Sequence, residues 1–301
     1  MLERKLRKRT PTPAQPSADQ RARRGVAVGV KGSGAVFPWR GGTAKLVARV
    51  VVLAAALGLW QFLTAGGVLD SEEFPSMTST LQALRDELTQ AELWTAVRDT
   101  ISGWAVGLLI GAGSAIIVGS VLGLSRFAYR SGVPVVEFFK TIPAVVILPV
   151  VVAKFGQTQT MKYVLVAFGV FWPMVVQVTY GVRSIDPTAR DTATVLQIRG
   201  VRRFFVVTLP SAAPFIATGL RVSAAVALIL SVVAELIGGS SGVGQRIVTA
   251  ENSGPTAYPI MYAYIFVAGI LGILLAGMFA LAERWALHWH ETQRNVQGAR
   301  P

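Results

Sequence analysis

Few residues in this sequence are of the types that catalyse reactions or bind metals. The 301 residues include no cysteine, which excludes a disulfide framework and cysteine-based metal or redox chemistry. The two histidines, His288 and His290, lie in "RWALHWH", which is typical of a membrane interface rather than a metal site. No HExxH, GxSxG or GxxxxGK[ST] motif occurs, so we expect no catalytic residue, metal or cofactor in this chain.

The segment 184–210 is the most patterned polar part of the chain. It includes "DTATVLQIRGVRRFFVVTLP". Asp186 and Pro187 are suited to cap and begin a helix. We expect this helix to run to about Arg199 and to end at Gly200 in a left-handed cap.

One face of this expected helix is small and apolar. Ala189, Ala193 and Leu196 form the face, and Arg190 and Asp191 lie beside it. A small apolar ridge between charges suits insertion into a groove of another protein. The segment is therefore a candidate docking loop.

The elements that must position this loop are membrane helices. The chain is 52% hydrophobic and only 15% charged, whereas about a quarter of the residues in soluble domains are charged. Several uncharged runs are long enough to cross a hydrocarbon core of about 30 Å as helices. We predict an all-α polytopic membrane protein with about six transmembrane helices in a bundle. The predicted spans are about 46–66, 101–125, 133–154, 163–183, 211–235 and 258–283.

Charged residues interrupt the third and fifth predicted spans. Glu137, Lys140, Arg221 and Glu235 must snorkel, pair or face protein. Glu235 lies at the end of the fifth span. It could line a path or gate, or it could pair with Arg221 or Lys140.

Prolines and glycines should shape the bundle. Pro143 and Pro149 are expected to kink the third span, for transport or only for packing. Gly103, Gly107 and Gly111 recur every four residues in the second span. Small residues at this spacing allow close helix approach.

The segment after the first span contains an amphipathic stretch. Leu81, Leu84 and Leu88 share one helical face. We expect a short helix at the outer interface, which serves either as a plain connection or as a docking site.

The net charge of +13 is concentrated at the N-terminus. Residues 1–45 should form a basic, largely disordered tail, followed by the membrane domain at 46–290 and a short tail at 291–301.

Twenty-two of the 29 Lys and Arg residues fall on one side of the predicted spans. This bias places both termini and segment 184–210 in the cytoplasm. We expect the basic tail to contact membrane lipid and no nucleic acid, because it has no folded platform. Within the loop, Arg199, Arg202 and Arg203 either contact a partner or only set topology.

The loop resembles a segment of the permease subunits of binding-protein-dependent ABC importers. Their cytoplasmic loop has the pattern E-A-A-x-x-x-G-x9-I-x-L-P, and here Val207 aligns with the isoleucine. Gln197 stands where the pattern has glycine, and Gly200 follows three residues later. The resemblance implies an ATPase-coupling loop that includes Asp191, Thr192, Ala193, Gln197, Gly200, Leu209 and Pro210.

Four further segments resemble the same family in the same order. They are "FPSMTSTLQAL", "KTIPAVVILPVVVAKFG", "GVRSIDPTARDTA" and "AELIGGSSGVGQRI". Together they cover about 50–290 and are similar to the nitrate/sulfonate/taurine-type branch.

The resemblance implies a transport subunit without its own nucleotide site. A second permease copy, usually identical, would complete the path, and a cytoplasmic ABC ATPase dimer would bind ATP. An extracytoplasmic solute-binding protein would deliver an aliphatic sulfonate, taurine or nitrate across the inner membrane. The rival predictions are a secondary transporter and a membrane scaffold that recruits a cytoplasmic partner without transport.

Overall fold

The computed structural model describes residues 42–70 and 73–286. Within these ranges the regular structure is helical and contains no strand, which confirms the predicted all-α class. The predicted N-terminal tail up to residue 41, His288 and His290, and the C-terminal tail lie outside the described residues.

The chain divides into two units, with the boundary between Leu53 and Ala54. Residues 42–53 of the first unit are helical. The main helices are α1 (Gly42–Ala65), α2 (Met77–Leu88), α3 (Ala91–Leu124), α4 (Arg126–Lys140), α5 (Leu148–Phe155), α6 (Gln159–Arg183), α7 (Pro187–Val195), α8 (Gly200–Arg203), α9 (Leu209–Leu236), α10 (Val243–Asn252) and α11 (Tyr258–Ala286).

Four described helical stretches are long and apolar enough to cross a membrane. They are Ala91–Leu124, Gln159–Arg183, Gly200–Leu236 and Pro255–Glu283. Helix α4 and the segment Ala144–Phe155 correspond to the predicted span at about 133–154 and make one further candidate if they are counted together. The apolar part of α1, residues 50–65, is shorter, so the predicted span at about 46–66 stays a prediction.

The segment that corresponds to the third predicted span is sharply bent. Helix α4 ends at Lys140, and a 3-10 helix at Ala144–Ile147 leads into α5 with an 82° bend between the two halves. Pro143 immediately precedes the 3-10 helix, as expected for a proline at a kink. Pro149 instead lies in the first turn of α5, where its missing N–H is tolerated. The prediction of a kink is therefore confirmed at Pro143 and wrong at Pro149.

Helices α3 and α6 run parallel and pack glycine against valine. Four glycines of α3 each face the valine 59 positions later on α6. A Cβ atom added to the glycine would lie only 2.5–2.9 Å from the valine Cβ, so the two backbones are already as close as they can come. The pairs are Gly107–Val166, Gly111–Val170, Gly119–Val178 and Gly123–Val182.

A methyl group at this contact should separate the two helices. The Cβ of Gly107→Ala would lie 2.5 Å from the Val166 Cβ. Overpacking of this kind costs about 1–3 kcal/mol, and we expect it to lower the free energy of unfolding in detergent.

The matched control is Gly113→Ala on the same helix, where an added Cβ meets nothing within 4 Å. That change should be neutral or should stabilise α3 by up to about 1 kcal/mol. Equal effects of the two alanines would contradict the close packing of α3 on α6.

The predicted short helix after the first span is present as α2. The Ser76 hydroxyl accepts a hydrogen bond from the Ser79 N–H and caps the helix. Leu84 packs against a buried cluster that includes Tyr264, whereas Leu81 and Leu88 remain exposed. Only part of the expected apolar face is therefore used within the chain.

Candidate functional site

Two opposite ends of the bundle carry the groups of interest. Helix α6 has 25 residues, which corresponds to about 37 Å of helix. Lys162 lies near its start and Arg183 at its end. We call these the ion-pair end and the loop end.

At the loop end, α7 begins as the sequence predicts. The Asp186 side chain accepts a hydrogen bond from the Thr188 N–H at 2.8 Å, and Pro187 occupies the first turn. This cap fixes where the chain turns out of α6 and into the loop.

The end of α7 differs from the prediction. The helix stops at Val195 rather than near Arg199. The Ile198 N–H donates to the Ala193 carbonyl at 2.9 Å, and the Gln197 N–H donates to the Thr194 carbonyl at 3.0 Å. This is a Schellman arrangement, and Gln197, with φ +53°, occupies its left-handed position.

Gly200 does not end α7. It also has a positive φ, +57°, but it begins α8. Gly200 was predicted as the left-handed cap because it is the nearest glycine, but Gln197 occupies that position. The family pattern has its glycine at this place, where the absence of a Cβ removes the strain.

Restoring that glycine should stabilise the end of α7. A left-handed non-glycine residue costs about 1–2 kcal/mol, part of which the greater freedom of unfolded glycine cancels. For Gln197→Gly we expect hydrogen exchange in a peptide covering residues 187–198 to slow by about threefold.

Gln197→Val provides the opposite arm, because a β-branched side chain fits the left-handed conformation poorly. It should speed exchange of the same peptide. If glycine and valine had the same effect, the cap at Gln197 would not determine the stability of α7.

The apolar surface of the loop shares only Leu196 with the predicted ridge. Ala193 is 2% exposed and packs inward, so it is not part of a protruding ridge. Val195, Leu196 and Val201 are instead 81%, 65% and 73% exposed. We call these three residues the apolar tip. Asp191 and Thr192 are exposed beside it.

The following membrane helix starts earlier than Leu209-Pro210. Residues 200–236 are continuously helical, through a π-helical turn at Phe204–Thr208. The Leu209 N–H donates to the Phe204 carbonyl five residues back, directly before Pro210, which has no N–H. One widened turn thus carries the helix past the proline and rigidly joins the loop to the span.

A buried ion pair lies at the opposite end. Lys162 Nζ is 2.7 Å from Glu235 Oε1, and both side chains are fully buried. The ammonium also donates to the carbonyls of Ser241 at 2.7 Å and Asp99 at 3.1 Å. All three of its N–H donors are therefore used.

The second carboxylate oxygen of Glu235 is equally well bound. Oε2 accepts hydrogen bonds from the Thr100 hydroxyl at 3.0 Å and the Gly244 N–H at 2.9 Å. The Thr100 hydroxyl accepts from the Val243 N–H at 2.9 Å. The cluster thus ties α3, α6 and α9 to the first turn of α10.

One of the sequence assignments changes here. Glu235 was expected either to line a path or gate or to pair with Arg221 or Lys140, and it pairs with Lys162 instead. Lys140 pairs with Glu137 at 2.6 Å, and Arg221 pairs with Glu283 at 3.3 Å. The sequence does contain a pattern that indicates the buried position of Lys162. Gly103 continues the four-residue spacing of the glycines on α3, and Lys162 continues the matching spacing of the valines on α6.

A cavity with largely apolar walls lies between the bend that follows α4 and helices α6 and α9. Its volume is about 640 Å³, and Lys140, Pro143, Trp172, Gln177 and Leu230 are among its lining residues. The buried Trp172 Nε1 has no hydrogen-bond partner among the described residues. Glu235 and Pro149 do not line this cavity.

A family model decides the assignment of the chain. The model for the binding-protein-dependent transport system inner membrane component matches residues 107–288, more than half of the sequence. The chain belongs to this family of permeases. The match covers α6, the loop, the buried ion pair and most of α3.

Two curated permeases are similar to this chain over a longer region than the family model matches. The chain is 29% identical over 239 residues to the putative aliphatic sulfonates transport permease protein SsuC of Bacillus subtilis (strain 168), covering 79% of this chain and 86% of the relative. It is 28% identical over 248 residues to the nitrate import permease protein NrtB of Synechocystis sp., covering 79% and 88%. These names agree with the branch that the sequence motifs indicate.

A solved permease chain supports the fold. A chain of the MetNI methionine ABC transporter in an inward-facing conformation superposes with a TM-score of 0.57 at 19% identity. The match covers 64% of this permease and 95% of that chain. Among the described residues, no group of three or more His, Cys, Asp or Glu side chains could hold a metal ion.

Proposed function

We propose that this permease is the membrane subunit of an ATP-driven importer whose partner ATPase binds the loop 184–210. The apolar tip, Val195, Leu196 and Val201, carries this proposal, because it is exposed on a loop that is rigidly continuous with a membrane helix. Exposed apolar side chains flanked by arginines suit a groove in another protein. ATP is bound by that partner, not by this chain.

The orientation follows from charge. Arginines crowd the loop end, where Arg126, Arg130, Arg183, Arg190, Arg199, Arg202 and Arg203 lie within short segments. The positive-inside rule then places the loop and both termini in the cytoplasm of a multi-pass inner-membrane protein. The ion-pair end faces outward, where a solute-binding protein docks.

The complete transporter contains two permease copies, and identical copies are the simplest assembly. We place the solute path along the 640 Å³ cavity, since it lies beside the bend at Pro143 and is lined by Lys140 and the Trp172 indole. The unpartnered N–H of Trp172 is a donor that suits an anion, and Lys140, which pairs with Glu137, retains two further N–H donors. Glu235 is fully buried and engaged, so we assign it to the ion pair and not to the path.

The substrate is a small oxyanion such as an aliphatic sulfonate, taurine or nitrate. The named relatives, a sulfonate and a nitrate permease, support this class. Both chemistries place negative charge on oxygen atoms that accept hydrogen bonds.

Reconstitution tests the proposal directly. Proteoliposomes that contain the permease, its cognate ATPase and its binding protein should take up labelled taurine, an alkanesulfonate or nitrate only with internal ATP. ATP-independent uptake by the permease alone would instead show a secondary transporter. Stable ATPase binding without uptake of any of these solutes would favour a membrane scaffold.

A further inference from the structure

A basic cavity of about 430 Å³ lies at the loop end, between the ends of α3 and α6 and the loop. Four of its twelve lining residues are arginines, and none is Asp or Glu. We call it the arginine cavity, and its arginines are Arg126, Arg183, Arg190 and Arg203. They come from four different elements: α4, α6, α7 and α8.

Neutral groups hold two of these arginines in place. The Arg203 guanidinium donates to the Arg190 carbonyl at 3.0 Å, and the Arg183 guanidinium lies 3.8 Å from the centre of the Tyr129 ring. These contacts orient the side chains but add no negative charge. In the described part of the chain, none of the four arginines forms a salt bridge.

Four uncompensated positive charges around one cavity repel each other. A bound anion removes this repulsion, and guanidinium groups match the oxygen atoms of phosphate and sulfate especially well. We propose that the arginine cavity binds a phosphate-type oxyanion, either a free ion or the headgroup of an anionic lipid.

Topology alone does not account for this arrangement. The positive-inside rule requires arginines near the ends of membrane spans but does not require them to converge. Arg199 and Arg202 meet the rule in the same loop, yet they do not line the cavity. The convergence is a separate observation, and it does not depend on the partner ATPase or on the transported solute.

An anion in the cavity would link the loop to the spans. Arg190 and Arg203 belong to the loop, whereas Arg126 and Arg183 belong to the helices that end beside it. Occupancy should therefore stabilise the packing of the loop against the bundle, and vacancy should loosen it.

Phosphate titration of the purified full-length chain tests the site. In a neutral detergent, at constant ionic strength set with sodium chloride, sodium phosphate should raise Tm along a saturating curve. The pair Arg126→Gln with Arg183→Gln should abolish this response. The matched pair Arg199→Gln with Arg202→Gln removes the same charge outside the cavity and should retain it.

Arg126→Gln alone guards against misfolding, because the Arg126 side chain forms no hydrogen bond, salt bridge or ring contact among the described residues. It should weaken the apparent phosphate affinity by at least fivefold without lowering the Tm measured in the absence of phosphate, because it also removes one of the four repelling charges. The proposal is overturned if the two double variants respond alike or if chloride reproduces the phosphate curve.

A second arm separates the two sources of oxyanion. The two lipids phosphatidylglycerol and phosphatidylcholine are added in equal amounts to the delipidated chain. Native mass spectrometry should then show that the chain retains phosphatidylglycerol but not phosphatidylcholine, and that Arg126→Gln reduces this retention. If added phosphatidylglycerol removes the phosphate response, the headgroup is the occupant. If phosphate still raises Tm in the presence of phosphatidylglycerol, a free ion is the occupant. Equal retention of both lipids together with no phosphate response rejects the site.

Discussion

Lys162→Met should lower the free energy of unfolding by about 3–5 kcal/mol, because it leaves a fully buried carboxylate without its countercharge. The ammonium is the partner of Glu235 Oε1 at 2.7 Å, and it also satisfies the carbonyls of Asp99 and Ser241. Methionine fills similar space but provides no donor. The loss should appear as a lower midpoint of thermal or chemical unfolding in detergent and as reduced membrane yield.

The double variant distinguishes a charge effect from a packing effect. Adding Glu235→Gln to Lys162→Met removes the uncompensated charge, and the glutamine can still accept from Thr100 and Gly244. We expect the double variant to be more stable than Lys162→Met alone, with a coupling energy of about 1–3 kcal/mol.

An exposed ion pair supplies the control. Arg246 lies 3.3 Å from Glu92 outside the predicted spans, and the Glu92 side chain is 68% exposed. Arg246→Gln should change the stability by less than about 1 kcal/mol. If Lys162→Met were no more damaging than Arg246→Gln, the buried pair would not hold the helices together at the ion-pair end.

The sequence was sufficient to predict the all-α membrane class and four of the spans, because a long apolar run has few alternatives in a bilayer. The glycines of α3 predicted close packing for the same kind of reason, since only a side chain as small as hydrogen permits it. The start of α7 was also predictable, because Asp186 and Pro187 act on their immediate neighbours.

The ion pair could not be predicted from local pattern. Lys162 and Glu235 are 73 residues apart and belong to helices whose register depends on the whole bundle. Four charged residues near the spans offered several pairings, and the sequence does not say which helix faces are adjacent. Only the shared four-residue spacing of Gly103 with the other glycines, and of Lys162 with the valines, pointed to this contact.

The loop shows the same limit at shorter range. Gly200 was the obvious left-handed residue, but the backbone hydrogen bonds of the cap fall three positions earlier, at Gln197. Moving the end of the helix changes which residues face outward. Ala193 is buried, and Val195 and Val201 are exposed together with Leu196, so an early error in one cap altered the predicted docking surface.

That corrected surface leads to the prediction with the largest functional effect. Leu196→Asp should reduce copurification of the permease with its cognate ATPase by at least tenfold and abolish ATP-dependent uptake. Burying a leucine in a partner groove contributes about 1.5–3 kcal/mol, and a carboxylate in its place would have to be desolvated as well. Leu196 is 65% exposed in the chain alone, so the change should leave the unfolding temperature of the isolated permease nearly unaltered.

The matched control places the same charge on the same helix but away from the apolar tip. Thr188 is exposed in the first turn of α7, where a carboxylate is favourable to the helix. Thr188→Asp should therefore retain both ATPase binding and uptake. Equal loss in the two variants would show that added negative charge anywhere on α7 disrupts the complex. Full binding by Leu196→Asp would exclude the apolar tip as the docking surface. A loss confined to Leu196→Asp requires direct contact at the tip, because only there does the charge replace an exposed apolar side chain.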